Sequence, residues 1–179
     1  MTAFVFLTVV LLAAASIVWS TVRLGIGPMP TSKGVRDKVL ELCPGELTGT
    51  AYELGSGWGG LARALARRCP RAQVIAVEAA LVPWAFSALI QRLSPLPNLR
   101  LVRGTFYQHP LGEADLMVCY LFTGGMRELS QRLKMKPGAV LISAVFALPG
   151  REAETVLRAF DLYRSPVYRY VQQAPAKER

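Results

Sequence analysis

The chain has 179 residues, 52% of them hydrophobic, which is room for one domain with a substantial core. A formal net charge of +9, with Arg supplying 16 of the 21 basic residues, suits an anionic membrane surface, an acidic partner or a merely solvated basic surface; no Lys/Arg run with interleaved aromatics points to nucleic acid. Three cysteines without a C-x-x-C pair read as buried thiols in a reducing compartment, and the single His109 offers no cluster of metal ligands.

Met1 to Val22 contains no charged residue. As a helix it reaches about 33 Å, enough for a hydrocarbon core of roughly 30 Å, and Trp19 suits an interfacial anchor. A cleavable signal is the rival, with Ala13-Ala14-Ala15-Ser16 as a cleavage site, but basic residues are missing before the apolar run and that run exceeds the usual length. An uncleaved single-pass anchor over 1–22 is therefore expected. Arg23, Lys33, Arg36 and Lys38 all follow the span, which places the remaining chain on the cytoplasmic side. Gly25 to Ser32 is a Gly/Pro linker that cannot continue the helix, so the linker is drawn over 23–34 and the globular domain over 35–173. Val35 to Leu42 has apolar residues at helical spacing and ends before Pro44-Gly45. This short helix packs ahead of the first strand or rests on the membrane.

From Ala51 the pattern is βαβ. Strands are predicted over Ala51–Leu54, Gln73–Glu78, Leu99–Gly104, Leu116–Leu121 and Ala139–Phe146. Helices are predicted over Leu61–Arg68, Trp84–Leu93 and Met126–Leu133. Thr155–Phe160 and Val167–Gln172 around Ser165-Pro166 form a hairpin, and Ala174–Arg179 is a polar, frayed tail. Uninterrupted apolar strands imply a sheet covered on both faces, an α/β doubly wound fold of seven strands.

The stretch that carries chemistry is Thr50 to Gly60, a strand ending in Glu53, then Gly55-Ser56-Gly57-Trp58-Gly59-Gly60, then a helix. Glycines allow a sharp turn and leave main-chain N–H groups open to a ligand, and the helix N-terminus adds a partial positive end. Gly55, Gly57 and Gly60 formally satisfy the dinucleotide pattern G-x-G-x-x-G, with Glu78 near the position of a ribose-binding acid. A carboxylate at 53 would repel a pyrophosphate and attract the ammonium of a methionine moiety. Glu53, Gly55, Gly57 and Gly59 together resemble the first motif, E/D-x-G-x-G-x-G, of class I S-adenosylmethionine-dependent methyltransferases. That resemblance implies S-adenosylmethionine as cofactor, held by Glu53, Gly55, Ser56, Gly57, Gly59, Glu78, Thr105, Phe106 and Tyr120 along the carboxyl edge of the sheet. Thr105 stands where many such enzymes carry an acid.

Over most of its length the chain also resembles a narrower group, the membrane-anchored lysine methyltransferases related to the mitochondrial enzymes acting on the ATP synthase c-subunit and the adenine-nucleotide carrier. The features are the apolar N-terminus, Pro28-Met29-Pro30-Thr31, Glu53-x-Gly55-Ser56-Gly57, Glu78 followed by Pro83-Trp84, Gly125-Met126, and Phe146-Ala147-Leu148-Pro149. It departs from them at Trp58, where an Asp is usual, in the longer spacing from Glu78 to Pro83, and in the aromatics after strand four. The resemblance implies a protein-lysine N-methyltransferase acting on a membrane protein. A small-molecule or lipid-like acceptor, and an NAD-dependent oxidoreductase on the same glycine loop, are the alternatives. A neutral lysine amine costs about 4 kcal/mol to generate at neutral pH, and a desolvated aromatic slot lowers that cost. Trp58, Trp84, Tyr120 and Phe122 are the expected walls, Trp58, Trp84 and Phe122 on the acceptor side. No residue stands out as a general base.

Overall fold

Strand burial follows the apolar runs: four of the five residues of the first strand and every residue of the fourth and fifth are buried. The computed structural model describes residues 1–24, 27 and 29–173; parts of the linker (Gly25, Ile26, Pro28) and the tail Ala174–Arg179 lie outside the described residues. The strands are β1 Thr50–Leu54, β2 Gln73–Glu78, β3 Leu99–Arg103, β4 Leu116–Cys119, β5 Val140–Ala144, β6 Thr155–Arg158 and β7 Pro166–Val171. They form a seven-stranded sheet in the order β3-β2-β1-β4-β5-β7-β6. β1 to β5 are parallel to their neighbours, and β7 runs antiparallel between β5 and β6. The connections leave β1 towards β2 and leave β4 towards β5. The carboxyl ends of β1 and β4 therefore flank the switch point where such sheets place ligands.

The helices are α1 Thr2–Leu24, α2 Lys33–Leu42, α3 Gly60–Arg68, α4 Leu81–Leu93 and α5 Thr123–Arg132. α2 starts at Ser32, whose hydroxyl accepts the Val35 N–H at 3.3 Å, a side-chain N-cap. Its apolar stripe, Val35, Val39 and Leu42, joins Leu61, Leu65, Val74 and Ile142 in one core, so α2 packs on the sheet. The other face buries Tyr52, Leu54, Met117, Met126, Leu129 and Leu141. There α5 is joined by two short 3-10 turns, Phe106–Gln108 and Leu111–Glu113, where the β3–β4 connection has no longer helix among the described residues.

Boundaries move at the functional edge. α4 begins at Leu81, three residues before the expected start, because Pro83 falls in the first helical turn, where a missing N–H costs nothing. β4 stops at Cys119 and α5 starts at Thr123, so Tyr120, Leu121 and Phe122 leave the sheet as a loop. α1 contains Phe4–Val22, with mean hydropathy 2.3 and only 6% burial. By length and composition it is sufficient to cross a membrane.

α3, which carries the glycine loop at its start, is pinned at its far end by one side chain. The Asn98 amide donates to the carbonyls of Ala66, Cys69 and Ala72, each at 3.0 Å. At its middle, the Arg63 guanidinium reaches Gln91 on α4 at 2.9 Å and the Ser94 carbonyl at 2.8 Å. Asn98→Ala removes a donor from all three carbonyls, of which that of Cys69 keeps the Ala72 N–H, and is expected to cost about 1–3 kcal/mol, read as a lower denaturation midpoint at unchanged slope.

Candidate active site

Both acidic residues of the site come from strand alternation. Ala51 packs on the α2–α3 face and Tyr52 and Leu54 on the other, so Glu53 points to the α3 side. By the same parity Val74 and Ala76 set Glu78 on that side. Glu53 is 4% exposed and Glu78 7%. The Glu53 carboxyl takes up the Ala62 backbone N–H in the first turn of α3, while its Oε2 has no hydrogen-bond partner. Burial, then the neighbouring Glu78 charge, pushes Glu53 well above the usual carboxylate range, and the Ala62 N–H opposes this only in part. Without a cation beside it, ionisation of Glu53 is therefore disfavoured. Its discrimination between an ammonium and a pyrophosphate acts through the ligand: an ammonium favours the ionised form, a phosphate disfavours it further.

Glu78 braces the loop. Its Oε2 accepts the Gly57 N–H at 2.7 Å and its Oε1 the Ala80 N–H at 2.7 Å. Each oxygen keeps a further lone pair for a hydroxyl ligand. The Gly55 and Ser56 N–H groups share the Val77 carbonyl at 2.9 and 3.0 Å, and the Gly59 N–H closes onto the Ser56 carbonyl at 2.9 Å. Gly55, Gly57 and Gly59 all have positive φ, at 75°, 53° and 77°, a region open to glycine at little cost. At Gly59 the constraint is double, because a Cβ would lie 2.6 Å from the Ser87 hydroxyl of α4.

The loop forms the floor of a cavity of about 500 Å³. Glu53, Gly55, Ser56, Gly57, Trp58 and Glu78 line it from the loop side, and Thr105, Phe106, Tyr120 and Phe122 from the ends of β3 and β4. Two expected residues fall outside it. Gly59 is not on the cavity wall but is the N-cap of α3, so its place is in the turn. Trp84 is not on the wall either, and its buried indole N–H has no partner. From α4 it is Phe86 that lines the cavity, edge-on to Trp58 with ring centroids 5.5 Å apart.

Several lining residues are not legible in the motif. Tyr107, on the 3-10 turn after β3, and Glu128, on α5, face the same space. The Tyr107 hydroxyl is buried without a hydrogen bond of normal geometry. Burial raises its pKa first, and the nearby Glu128 charge adds to this. Arg132 stacks over the Tyr107 ring, 4.8 Å from its centroid, and pairs with Glu128 at 3.0 Å. Ser20 of α1, Met29, Pro30 and Thr31 of the linker, and Arg36 of α2 close the other end. Tyr107 and Glu128 are separated along the chain by β4, so only the fold brings them together and no local signal marks the pair.

The arrangement fits a zwitterionic amino-acid ligand bearing a ribose: a buried carboxyl oxygen in want of a donor, a glycine turn that leaves space although its Gly55, Ser56, Gly57 and Gly59 N–H groups, expected to be open to a ligand, are taken up within the protein, and a second carboxylate at the end of β2. Residues 53–155 match the model of the ANTKMT methyltransferase domain, and the chain belongs to that family. It is an S-adenosylmethionine-dependent methyltransferase, which sets aside the nicotinamide alternative. No curated protein sequence matches the chain. Among solved structures, an RNA methyltransferase from Salinibacter ruber in complex with S-adenosyl-L-homocysteine aligns at TM-score 0.69 and 22% identity, covering 84% of this chain and 98% of that one. A precorrin-6y C5,15-methyltransferase from Geobacter metallireducens aligns at 0.61 and 15%, covering 78% and 88%. A mutant of MtNAS in complex with S-adenosylmethionine aligns at 0.65 and 10%, covering 78% and 62%. At these identities the likeness is one of fold.

Glu53→Gln tests the site with two opposite effects. S-adenosylhomocysteine affinity, measured calorimetrically, is expected to fall about tenfold or more with the loss of a charge-assisted contact. The ligand-free protein is expected to gain thermal stability. The folded pKa of Glu53 lies above its ordinary 4.5, so the folded state binds the extra proton, and stability falls as pH rises from about 4.5 through the raised folded value. Conversely, binding releases that proton, so wild-type affinity rises with pH until the raised value is passed. The Gln variant lacks both dependences.

Proposed function

We propose that the protein transfers the methyl group to the side-chain amine of a lysine in a membrane protein, and that α1 holds it in the bilayer as a single-pass protein with the domain on the cytoplasmic side. One observation carries the reading: the cavity that holds Glu53 and Glu78 is also lined by Ser20 of α1 and by Met29, Pro30 and Thr31 just after it. The reaction space thus lies next to the segment that would leave the membrane. The family match, which names the ANTKMT domain, favours lysine as the acceptor class.

Bound S-adenosylmethionine supplies a methyl carbon already activated by its sulfonium. The chain's own work is therefore alignment and exclusion of water. Glu53 and the glycine loop would hold the amino-acid end, and Glu78 would hold the ribose hydroxyls with lone pairs left over from Gly57 and Ala80. Thr105 and Phe106 border the space expected for the adenine. Trp58, Phe86, Tyr120 and Phe122 make the remaining wall aromatic. Such a wall disfavours an ammonium by desolvation and so favours the neutral amine that must attack, while ring faces stabilise the sulfonium. Confinement to the bilayer raises the effective concentration of a membrane-embedded acceptor without further contacts.

The test is transfer of a labelled methyl group into isolated membranes, followed by acid hydrolysis and mass spectrometry. Label is expected in methylated lysine of a membrane protein. Label recovered with extracted lipid or soluble small molecules would instead establish the lipid-like or small-molecule acceptor. Alkaline carbonate should leave the protein in the membrane pellet; its release would rule out the single-pass placement.

A further inference from the structure

The turn between β6 and β7, residues 159–165, is held in shape from within while its large apolar side chains point outward. The Asp161 carboxylate accepts the Ser165 N–H at 2.8 Å. The Arg164 N–H donates to the Asp161 carbonyl at 3.1 Å, and the Ala159 N–H to the Ser165 carbonyl at 2.8 Å. Ala159 and Ser165 are buried at its root, yet Phe160 is 100% exposed, Leu162 88% and Tyr163 83%. A turn closed by its own hydrogen bonds cannot fold these side chains back onto the core. An exposed apolar group of this kind marks a surface meant to be covered.

Its position says by what. A Cβ on Gly34, in the first turn of α2, would lie 2.8 Å from the Phe160 carbonyl oxygen, so the turn rests on the start of α2. α2 is the first element after α1 and the linker, and Arg36 on α2 lines the cavity together with Met29, Pro30 and Thr31. The exit of α1, the cavity rim and the apolar turn are thus neighbours. Arg158 and Arg164 frame the turn, the Arg158 guanidinium donating to the Arg164 carbonyl at 3.5 Å.

We infer that the 159–165 turn is a second membrane contact: Phe160, Leu162 and Tyr163 enter the interfacial layer of the bilayer, with Arg158 and Arg164 at the phosphates, and hold the cavity rim against the membrane surface. This rests on the proposed crossing of the membrane by α1. Aromatic and aliphatic side chains flanked by arginine are the composition that binds such an interface, through buried apolar area and attraction to lipid phosphate. A second contact beside the cavity fixes the domain's orientation and narrows the acceptors to groups lying near the headgroups.

The full-length protein carrying Leu162→Cys, labelled with an environment-sensitive fluorophore, is reconstituted into phosphatidylcholine/phosphatidylserine vesicles containing spin-labelled lipids. The three native thiols, Cys43, Cys69 and Cys119, are buried and do not compete for label. Val10→Cys on α1 reports the anchor, Tyr163→Cys repeats the measurement at a second turn position, and retained S-adenosylhomocysteine binding certifies each fold. A blue shift at 162 and 163, with at least twofold stronger quenching by headgroup-level than by deep spin labels, is expected. Quenching at 10 without quenching at 162 and 163 overturns the second contact alone. Quenching at neither overturns the anchor and the second contact together. A blue shift at 162 that spin-labelled lipid leaves unquenched shows protein covering the turn, and overturns the inference in favour of a protein partner or a second copy.

Discussion

A carboxyl group buried at the end of β1 with one oxygen unsatisfied is the constraint on which the site depends. Glu53 sits under the first turn of α3 and beside Glu78, where burial and a like charge both oppose its ionisation. Such a group is costly to keep in a stable fold. Its cost is offset when a cation arrives, and the glycine turn leaves the space for one to do so. The site is therefore a partly satisfied network that a zwitterionic ligand completes.

The rest of the fold holds that network still. Glu78 joins the end of β2 to Gly57 and Ala80, Ser87 of α4 reaches the Gly57 carbonyl at 3.2 Å, and Asn98 secures the far end of α3. None of these contacts touches the reacting atoms, but each sets where the N-terminus of α3 points. The charge at the loop, the helix dipole and the sheet edge converge because the parallel strands all end on that side. The surround of the site is apolar on one flank, where Ser20 of α1 lines the cavity, and the outward-facing 159–165 turn rests on the start of α2.

Much of the fold was legible because its signals are local. Apolar runs of strand length separated by helical periodicity predict β1 to β5, and β2 matches to the residue. Glu53, Gly55, Gly57 and Glu78 lie within one βαβ unit, so that they would meet at one end of the sheet was readable from their spacing. The errors have physical reasons. Trp84 was expected on the acceptor wall, but Pro83 and Ser87 are the buried residues of α4 and Phe86 is its side chain that reaches the cavity. Phe160 was expected to continue β6, but the strand ends at Arg158 and the Asp161 hydrogen bonds close a turn in its place. Gly59 fits the motif, yet the left-handed N-cap it occupies is a demand of the backbone, not of the cavity.

By itself the sequence determined the class of fold, the anchor-like N-terminal run and the acidic glycine loop, since hydrophobic period, uncharged length and backbone permissiveness are properties of contiguous residues. Only the tertiary structure decided that Tyr107, Glu128, Arg36 and Ser20 share one cavity, that Glu53 is deprived of solvent and so resists ionisation, and that three large apolar side chains stand in the open beside α2. Burial and proximity depend on how distant elements pack, and no spacing along the chain encodes them.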